Sequence, residues 1–319
     1  MLIWITYLSD WAHYKIRKNK HMKQNIETYR VHIDPVVRRL MNEAVGIIRS
    51  EASSFTSKAK DHYEAGKEDI VTSADRAAQK HYLDGLTESF PGCGLVGEED
   101  GLRRPCTIGG EDFYFTIDPL DGTKAFARQQ SFGVGTMIGV VHNDKIIAGY
   151  IGDVNTGEIF SYSPTTTPTR TRWGVTTPLL DHAAMAPQKS VIMSNTPIAE
   201  FPDVIQRFVQ KHDKGGLWKD SEVGGGSYGT FVARLWKGEV GALLYDPFYN
   251  TPWDRTPVAG LSSALGYVSI RLDPKTGQVF DVFEFGPITQ VEEFPWIRID
   301  VHRDNLDQVL KWFADQGAT

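Results

Sequence analysis

Six residues, Asp118-Pro119-Leu120-Asp121-Gly122-Thr123, constrain this chain more than any others. They set two carboxylates three residues apart, around a proline, directly before a Gly-Thr turn. The run before them, Asp112 to Ile117, alternates polar with aromatic or β-branched residues and predicts a strand over 112–118. Both carboxylates should then emerge at the strand's carboxyl end. Pro119 stiffens the turn and removes one backbone N–H, while Gly122 lets the main chain approach a ligand with no Cβ in the way. Backbone amides at Gly122 and Thr123, where a helix should start, would face an anion. Hard cations such as Mg2+ take several oxygen ligands and share them with substrate phosphate. A lone Asp-Gly pair is more often an ordinary turn, so the rest of the chain decides between turn and site.

Two further acidic stations flank the motif. Gly97-Glu98-Glu99-Asp100-Gly101 carries three consecutive acids, which repel one another unless solvated or neutralised by a cation. Pro252-Trp253-Asp254 precedes a small, apolar run from Thr256 to Leu265. Asp254 reads as the N-cap of a buried helix with Pro257 in its first turn, a role that leaves one carboxylate oxygen for a metal. Other chemistries find little support. Cys93 and Cys106 lie in a turn and a polar loop with no histidine pattern nearby, and the nine histidines show no zinc spacing. Gly224-Gly225-Gly226-Ser227 lacks the ending of a P-loop and the spacing of a dinucleotide fingerprint.

In order and spacing, Glu98, the Asp118/Asp121 pair and Asp254 resemble the inositol monophosphatase family, the Mg2+-dependent, lithium-sensitive sugar phosphatases. The segment from Asp69 to Ala78 is similar to the one carrying the family's acid-Thr pair. Phe90-Pro91, Lys124-Ala125-Phe126 and Phe132 also fall in the family's order, over about residues 34 to 268. The resemblance implies a mixed α/β (α+β) fold, the layered α-β-α-β-α sandwich of the inositol monophosphatase and fructose-1,6-bisphosphatase type. It also implies two or three Mg2+ ions. Glu98, Asp118 and the Leu120 carbonyl would hold the first, and Asp118, Asp121 and Asp254 the second, with Glu99 as an outer ligand. Thr123 paired with Asp75 would orient and deprotonate the attacking water, phosphate would lie on the Gly122 and Thr123 amides, and Ser227, Tyr228 and Asp246 would face the alcohol. A small polyol or sugar phosphate ranks first as substrate. Histidinol phosphate ranks second, because Gly225 to Gly229 is similar to the histidinol-phosphate phosphatases, although Gly226 replaces their usual aspartate. A bisphosphate nucleotide or fructose 1,6-bisphosphate is a third class, and a protein-binding regulatory factor on the same fold is the non-enzyme alternative. A homodimer is expected from the resemblance alone.

Composition sets the remaining bounds. A formal net charge of -6 and a pI near 5.9 argue against a nucleic-acid binder. Two cysteines in 319 residues suit a reducing cytosol. The apolar Met1 to Leu8 is too short for stable membrane insertion, so residues 1–30 read as a dispensable extension with Met22 as an alternative start. Helices are expected at Pro35–Phe55 and Ser73–Phe90, and strands at about 132–141, 145–153 and 157–162. A Pro/Thr-rich break over 164–187 should separate a metal-binding half, 31–163, from a second half, 188–319. That second half should hold a strand at Ser190–Ser194, helices at Pro202–His212 and Ser227–Lys237, a strand at Val240–Tyr245 and the helix after Asp254.

Overall fold

The computed structural model describes residues 26–61, 68–179 and 185–318. Helix α1 (Ile26–Glu51) leads to an antiparallel pair, β1 (Ser57–Asp61) and β2 (Glu68–Thr72), and then to α2 (Ser73–Ser89). Next come β3 (Gly94–Gly97), β4 (Arg103–Arg104), β5 (Phe113–Asp121), the short α3 (Thr123–Ala127), β6 (Gly135–His142) and β7 (Lys145–Asp153). They are followed by β8 (Ile159–Ser163), β9 (Thr166–Arg172), β10 (Val175–Pro178), β11 (Val191–Ser194), α4 (Asp203–Phe208) and β12 (Asp220–Val223). After these the chain forms α5 (Tyr228–Trp236), β13 (Ala242–Tyr245), β14 (Phe248–Asn250), α6 (Pro252–Ala264) and β15 (Tyr267–Leu272). It ends with β16 (Val279–Phe283), β17 (Glu292–Phe294), β18 (Ile297–His302) and α7 (Arg303–Asp315).

Two sheets carry the architecture. An eight-stranded sheet runs β10-β9-β8-β7-β6-β5-β3-β4 and is antiparallel except between β3 and β5. A six-stranded sheet runs β12-β11-β13-β18-β15-β16, with β11 parallel to both its neighbours. Alternation along β5 explains the layering, because successive side chains leave a strand on opposite faces. Phe113, Phe115 and Ile117 join the core under α1 and α2, whereas Tyr114 packs on the other face with Trp253 of α6. Between the sheets, Phe231, Leu235 and Trp236 of α5 and Val258 and Leu261 of α6 fill the space between Met137, Ile151 and Phe160 on one side and Leu243 and Tyr245 on the other. The outer face of the second sheet buries Ile205 and Phe208 of α4 and Val309 and Phe313 of α7. Five layers result, in the order α-β-α-β-α. The middle helix α6 lies close against the first sheet because Gly139 and Gly149 face it. A Cβ there would come within 2.6 Å of Thr256 or Pro257 atoms.

Several expected boundaries move. Helix α1 already starts at Ile26, inside the expected extension, since Tyr29 is buried edge-on against Phe90 at 5.3 Å. Residues 1–25, with Met1 to Leu8 and Met22, lie outside the described residues. Pro35 is accommodated within α1 on its exposed face, where the carbonyl left without a donor meets water. The expected break over 164–187 instead holds β9 and β10, which extend the first sheet; Thr-rich β-branched sequence forms strands as readily as turns. The second-half helix expected over 202–212 is α4, which ends at Phe208.

Candidate active site

The acidic motif does not follow β5; it is the end of β5. Asp118 pairs with Met137 and Asp121 with Gly135, so three steps on β5 face two on β6, a β-bulge. In a regular strand, residues three apart point to opposite faces. The extra residue restores a common face, and both carboxylates turn toward the layer of α5 and α6. Asp254, at the third position of α6, meets them there, and carboxylate oxygens of Asp118, Asp121 and Asp254 all lie within 4.8 Å of one another. The N-cap of α6 is Thr251, not Asp254. Its hydroxyl donates to Asp254 Oδ2 at 2.7 Å and accepts from the Asp254 N–H at 3.3 Å, which aims the carboxylate.

Asp121 is also tied to the start of α5. The Ser227 hydroxyl and the Gly229 N–H donate to its Oδ2 at 2.5 and 2.7 Å, and the Tyr228 N–H donates to Oδ1 at 2.9 Å. Gly122 follows at φ +85°, where a Cβ would lie 2.3 Å from the Gly133 carbonyl oxygen. Only glycine fits that left-handed crossing of backbones. Thr123 then opens α3, and its hydroxyl sits 3.1 Å from Asp75 Oδ1 and 3.0 Å from the Leu120 carbonyl. Asp75 is fully buried and held by the Thr72 N–H and hydroxyl at 2.8 and 2.5 Å. The Leu120 carbonyl, Thr123 and Asp75 therefore form one connected unit beside the acid cluster.

Glu98 lines the same cleft, while Glu99 is buried behind it, its backbone carbonyl receiving the Gln79 amide at 3.0 Å. Both glutamates are bound by Lys60, at 2.7 and 2.6 Å, and Asp69 approaches the same ammonium at 3.6 Å. Nothing in the sequence marks Lys60. The Ser57–Asp61 strand has almost no apolar periodicity to mark it, and its partner acids are 38 and 39 residues away.

The electrostatics are those of a site built for cations. Burial, reinforced by the neighbouring carboxylates, raises the pKa of Asp118 well above the usual range and that of Asp121 to about 7. Burial raises Asp254 as well, against the Thr251 hydrogen bond. Glu98 is pushed up to about 8, chiefly by burial, even with Lys60 beside it. Burial alone would lower the Lys60 pKa, but Glu98 and Glu99 raise it overall. Burial also raises Asp75, partly offset by its Thr72 and Thr123 hydrogen bonds. So many acids facing one another cannot all ionise without a counter-charge. An all-oxygen set with no nitrogen or sulfur suits a hard divalent cation.

The cleft, about 830 Å3, continues past Gly122, Thr123, Lys124 and Arg128 to Asn195, Thr196, Gly224–Gly226 and Asp246. Asp246 lines this cleft on the side away from the acid motif's own strand. Ser227 and Tyr228 are not among the lining residues. The Ser227 side chain faces Asp121, and the Tyr228 hydroxyl receives a hydrogen bond from Arg298 at 2.9 Å. Arg298 is itself buried, 3.1 Å from Asp300, with its guanidinium 3.9 Å over the Tyr245 ring.

A profile of the inositol monophosphatase family matches residues 31–276. Among characterised proteins, the chain is 32% identical over 130 residues to an inositol-1-monophosphatase of Bacillus subtilis, covering 40% of this chain and 46% of that one. It is also 32% identical over 132 residues to a human 3'(2'),5'-bisphosphate nucleotidase, covering 34% and 42% respectively. The alignments thus span less than half the length of these relatives. Among solved structures, an IMPase/NADP phosphatase complexed with Mg2+ and phosphate superposes with a TM-score of 0.64 at 19% identity, over 88% of this chain and 95% of that one.

Proposed function

Since the chain belongs to the inositol monophosphatase family, we propose that it is a Mg2+-dependent phosphomonoesterase. It would hydrolyse a small phosphorylated polyol or sugar by direct in-line attack of water. The observation that carries this reading is the convergence of three buried carboxylates from β5 and α6, with Glu98 on the same cleft. Asp118, Asp121, Asp254, Glu98 and the Leu120 carbonyl are the groups that would hold Mg2+, with Glu99 close behind. When bound, the metal supplies Lewis acidity toward water and phosphate oxygen and offsets charge on the leaving alkoxide.

The protein's own groups do the rest. Thr123 Oγ1, hydrogen-bonded to Asp75, orients the nucleophilic water and passes its proton toward that carboxylate. Burial raises the Asp75 pKa, which makes it a better proton acceptor than an exposed carboxylate. Gly122 and Thr123 line the cleft, where their backbone N–H groups would meet the phosphate, while Lys124 and Arg128 give the same wall a positive rim. Asp246, Asn195 and Thr196 offer hydrogen bonds to hydroxyls of the alcohol. A second reading, a 3'(2'),5'-bisphosphate nucleotide as substrate, is favoured by that basic rim and by the likeness to the human nucleotidase. Lithium inhibition, a homodimer and a cytoplasmic setting follow from family likeness; no helix among the described residues is long and apolar enough to cross a membrane.

The test is release of inorganic phosphate, with and without Mg2+, from inositol phosphates, histidinol phosphate, fructose 1,6-bisphosphate, adenosine 3',5'-bisphosphate and glycerol phosphate. Mg2+-dependent turnover that disappears in Asp118→Asn supports the reading. Silence from every ester overturns it.

A further inference from the structure

We infer that Cys93 and Cys106 form an oxidisable pair, whose disulfide would clasp the base of the hairpin that presents Glu98 and Glu99. Neither cysteine lines the cleft, so the chemistry of the pair is independent of which ester, if any, the cleft hydrolyses.

The two cysteines share a rung of one ladder. Strands β3 and β4 pair antiparallel, with Leu95 opposite Arg104 and Val96 opposite Arg103. Carried back past the strand ends, that register sets Gly94 opposite Pro105, Cys93 opposite Cys106 and Gly92 opposite Thr107. Contacts on either side of the rung hold it there. The Thr107 N–H donates to the Gly92 carbonyl at 2.8 Å, and a Cβ on Gly94 would lie 3.1 Å from both the Arg104 carbonyl oxygen and the Cys106 nitrogen. The Cys93 N–H donates to the Phe90 carbonyl at 3.1 Å, which anchors that side to the end of α2. Directly opposed residues of an antiparallel pair stand about 4.5–5.5 Å apart at Cα and leave the ladder on the same face. A disulfide spans about 4.4–6.8 Å between Cα atoms, so the backbone already has the spacing that the bond requires.

Both side chains enter the same core. Cys93 belongs to the cluster with Tyr29, Phe90 and Phe113, and Cys106 packs against that cluster. The Tyr29 hydroxyl, which donates to the Pro91 carbonyl at 2.8 Å, feels both sulfurs: they add to burial in raising its pKa.

Exposure sets the order of events. Cys93 is buried, and burial pushes its thiol up to about 11, against the Arg104 guanidinium 3.9 Å from its sulfur. Cys106 is partly exposed. A small disulfide such as oxidised glutathione therefore meets Cys106 first. The Cys106 thiolate attacks one sulfur of that disulfide, forming a mixed disulfide and expelling one small thiol. Cys93 then gives its proton to solvent and attacks Cys106 Sγ, expelling the second. Two protein thiols and one small disulfide become one protein disulfide and two small thiols. The raised Cys93 pKa makes the second step slow near neutrality and faster as pH rises.

From Cys93 the chain runs through β3, turns over Glu98 to Gly101 and returns through β4 to Cys106. A bond across the open end closes that loop, which takes freedom from the unfolded chain while the folded hairpin is already in register.

The test is incubation of the full chain, in Mg2+ and mildly alkaline glutathione buffers of rising oxidised fraction. Free thiols are then counted in denaturant, and the protein is digested with trypsin without reductant for mass spectrometry. Trypsin cuts after Arg103, so the two cysteines leave in separate peptides joined only through the bond. Expected are the linked peptides, loss of both thiols, and a midpoint of thermal unfolding about 5 °C higher in the oxidised protein. Dithiothreitol should return the midpoint to its starting value. Cys106→Ser, at the more exposed position, should fold, give no linked peptide and show no rise. Both thiols still free in the oxidised buffer, glutathione left on Cys106 with no link to Cys93, or a bond only between copies of the chain would each overturn the pair. A linked pair that leaves the unfolding midpoint unmoved would overturn the clasp.

Discussion

Stripped of divalent ions, this protein should lose stability as pH rises from about 5 to about 8, and Mg2+ should restore it. Glu98, pushed up to about 8, and Asp121, pushed up to about 7, share the cleft with Asp118 and Asp254, raised in the same direction; burial is the first cause for each. In the unfolded chain the same carboxyls titrate near 4. Between those limits the folded state binds more protons than the unfolded one, so stability is fully present below the unfolded pKa and is lost as pH passes the folded values. For Asp121, a rise from 3.8 to about 7 corresponds to roughly 4 kcal/mol at 1.36 kcal/mol per unit. The coupled carboxyls titrate in steps that belong to the cluster and are not summed residue by residue, so about 4 kcal/mol sets only the order of magnitude for the site. That is a large share of the roughly 5–15 kcal/mol that holds a typical domain folded. The assay is urea unfolding followed by tryptophan fluorescence at pH 5, 6.5 and 8, in EDTA and in Mg2+. In EDTA the midpoint should fall with pH; with Mg2+ it should hold, because an ion that binds only the folded state stabilises it by mass action. Asp118→Asn should flatten the slope in EDTA and abolish the gain from Mg2+. A metal-free stability that stays level or rises from pH 5 to 8 would refute the claim that Lys60 alone leaves these carboxylates short of counter-charge.

Removing the Thr123 hydroxyl with Thr123→Ala should lower kcat about 100-fold with KM little changed, whereas Thr123→Ser should keep most of the rate; single-turnover phosphate release checks both. Gly122→Ala sets a Cβ 2.3 Å from the Gly133 carbonyl at φ +85°, and should cost about 3 kcal/mol in urea unfolding, from backbone strain plus overpacking. A cost below about 1 kcal/mol would mean that the two loops part easily. Arg298→Met strands Asp300 in the core and should destabilise by about 3–5 kcal/mol, with Asp300→Asn in the same chain recovering part of the loss.

How much of this was written legibly in the chain depends on whether the signal is local. The alternation before Asp118, the apolar stripe of α1 and the run after Asp254 repeat within one element, and each yields its strand or helix. The pairing of Thr123 with Asp75 came from family likeness, and the two groups meet at 3.1 Å. The bulge was hidden, because a spacing of three around a proline is the same whether the strand ends or continues. Its effect depends on where β6 pairs, which no window on β5 contains. The cap of α6 was misplaced by three residues since Thr251 and Asp254 are both capping types, and only their mutual hydrogen bonds tell which one stands outside the helix. In the sequence, Ser227 and Tyr228 neighbour the glycine run, and the resemblance implies that they face the substrate. The helix they begin turns them toward Asp121 and Arg298 instead. Lys60 was invisible, as an ion pair across 38 residues leaves no pattern in sequence.

The three donors at the start of α5 limit what Asp121 can still do. An ionised carboxylate offers about four lone-pair sites. The Ser227 hydroxyl and the Gly229 amide occupy both on Oδ2, and the Tyr228 amide takes one on Oδ1. One remains, so Asp121 would have a single lone-pair site to offer a cation. Asp118 accepts the Leu120 amide at 3.0 Å on Oδ1 and shares a hydrogen bond with Asp254, but among the described residues no helix terminus donates to it. What each of two aspartates three residues apart would offer a cation is therefore set by a helix terminus from another layer of the fold.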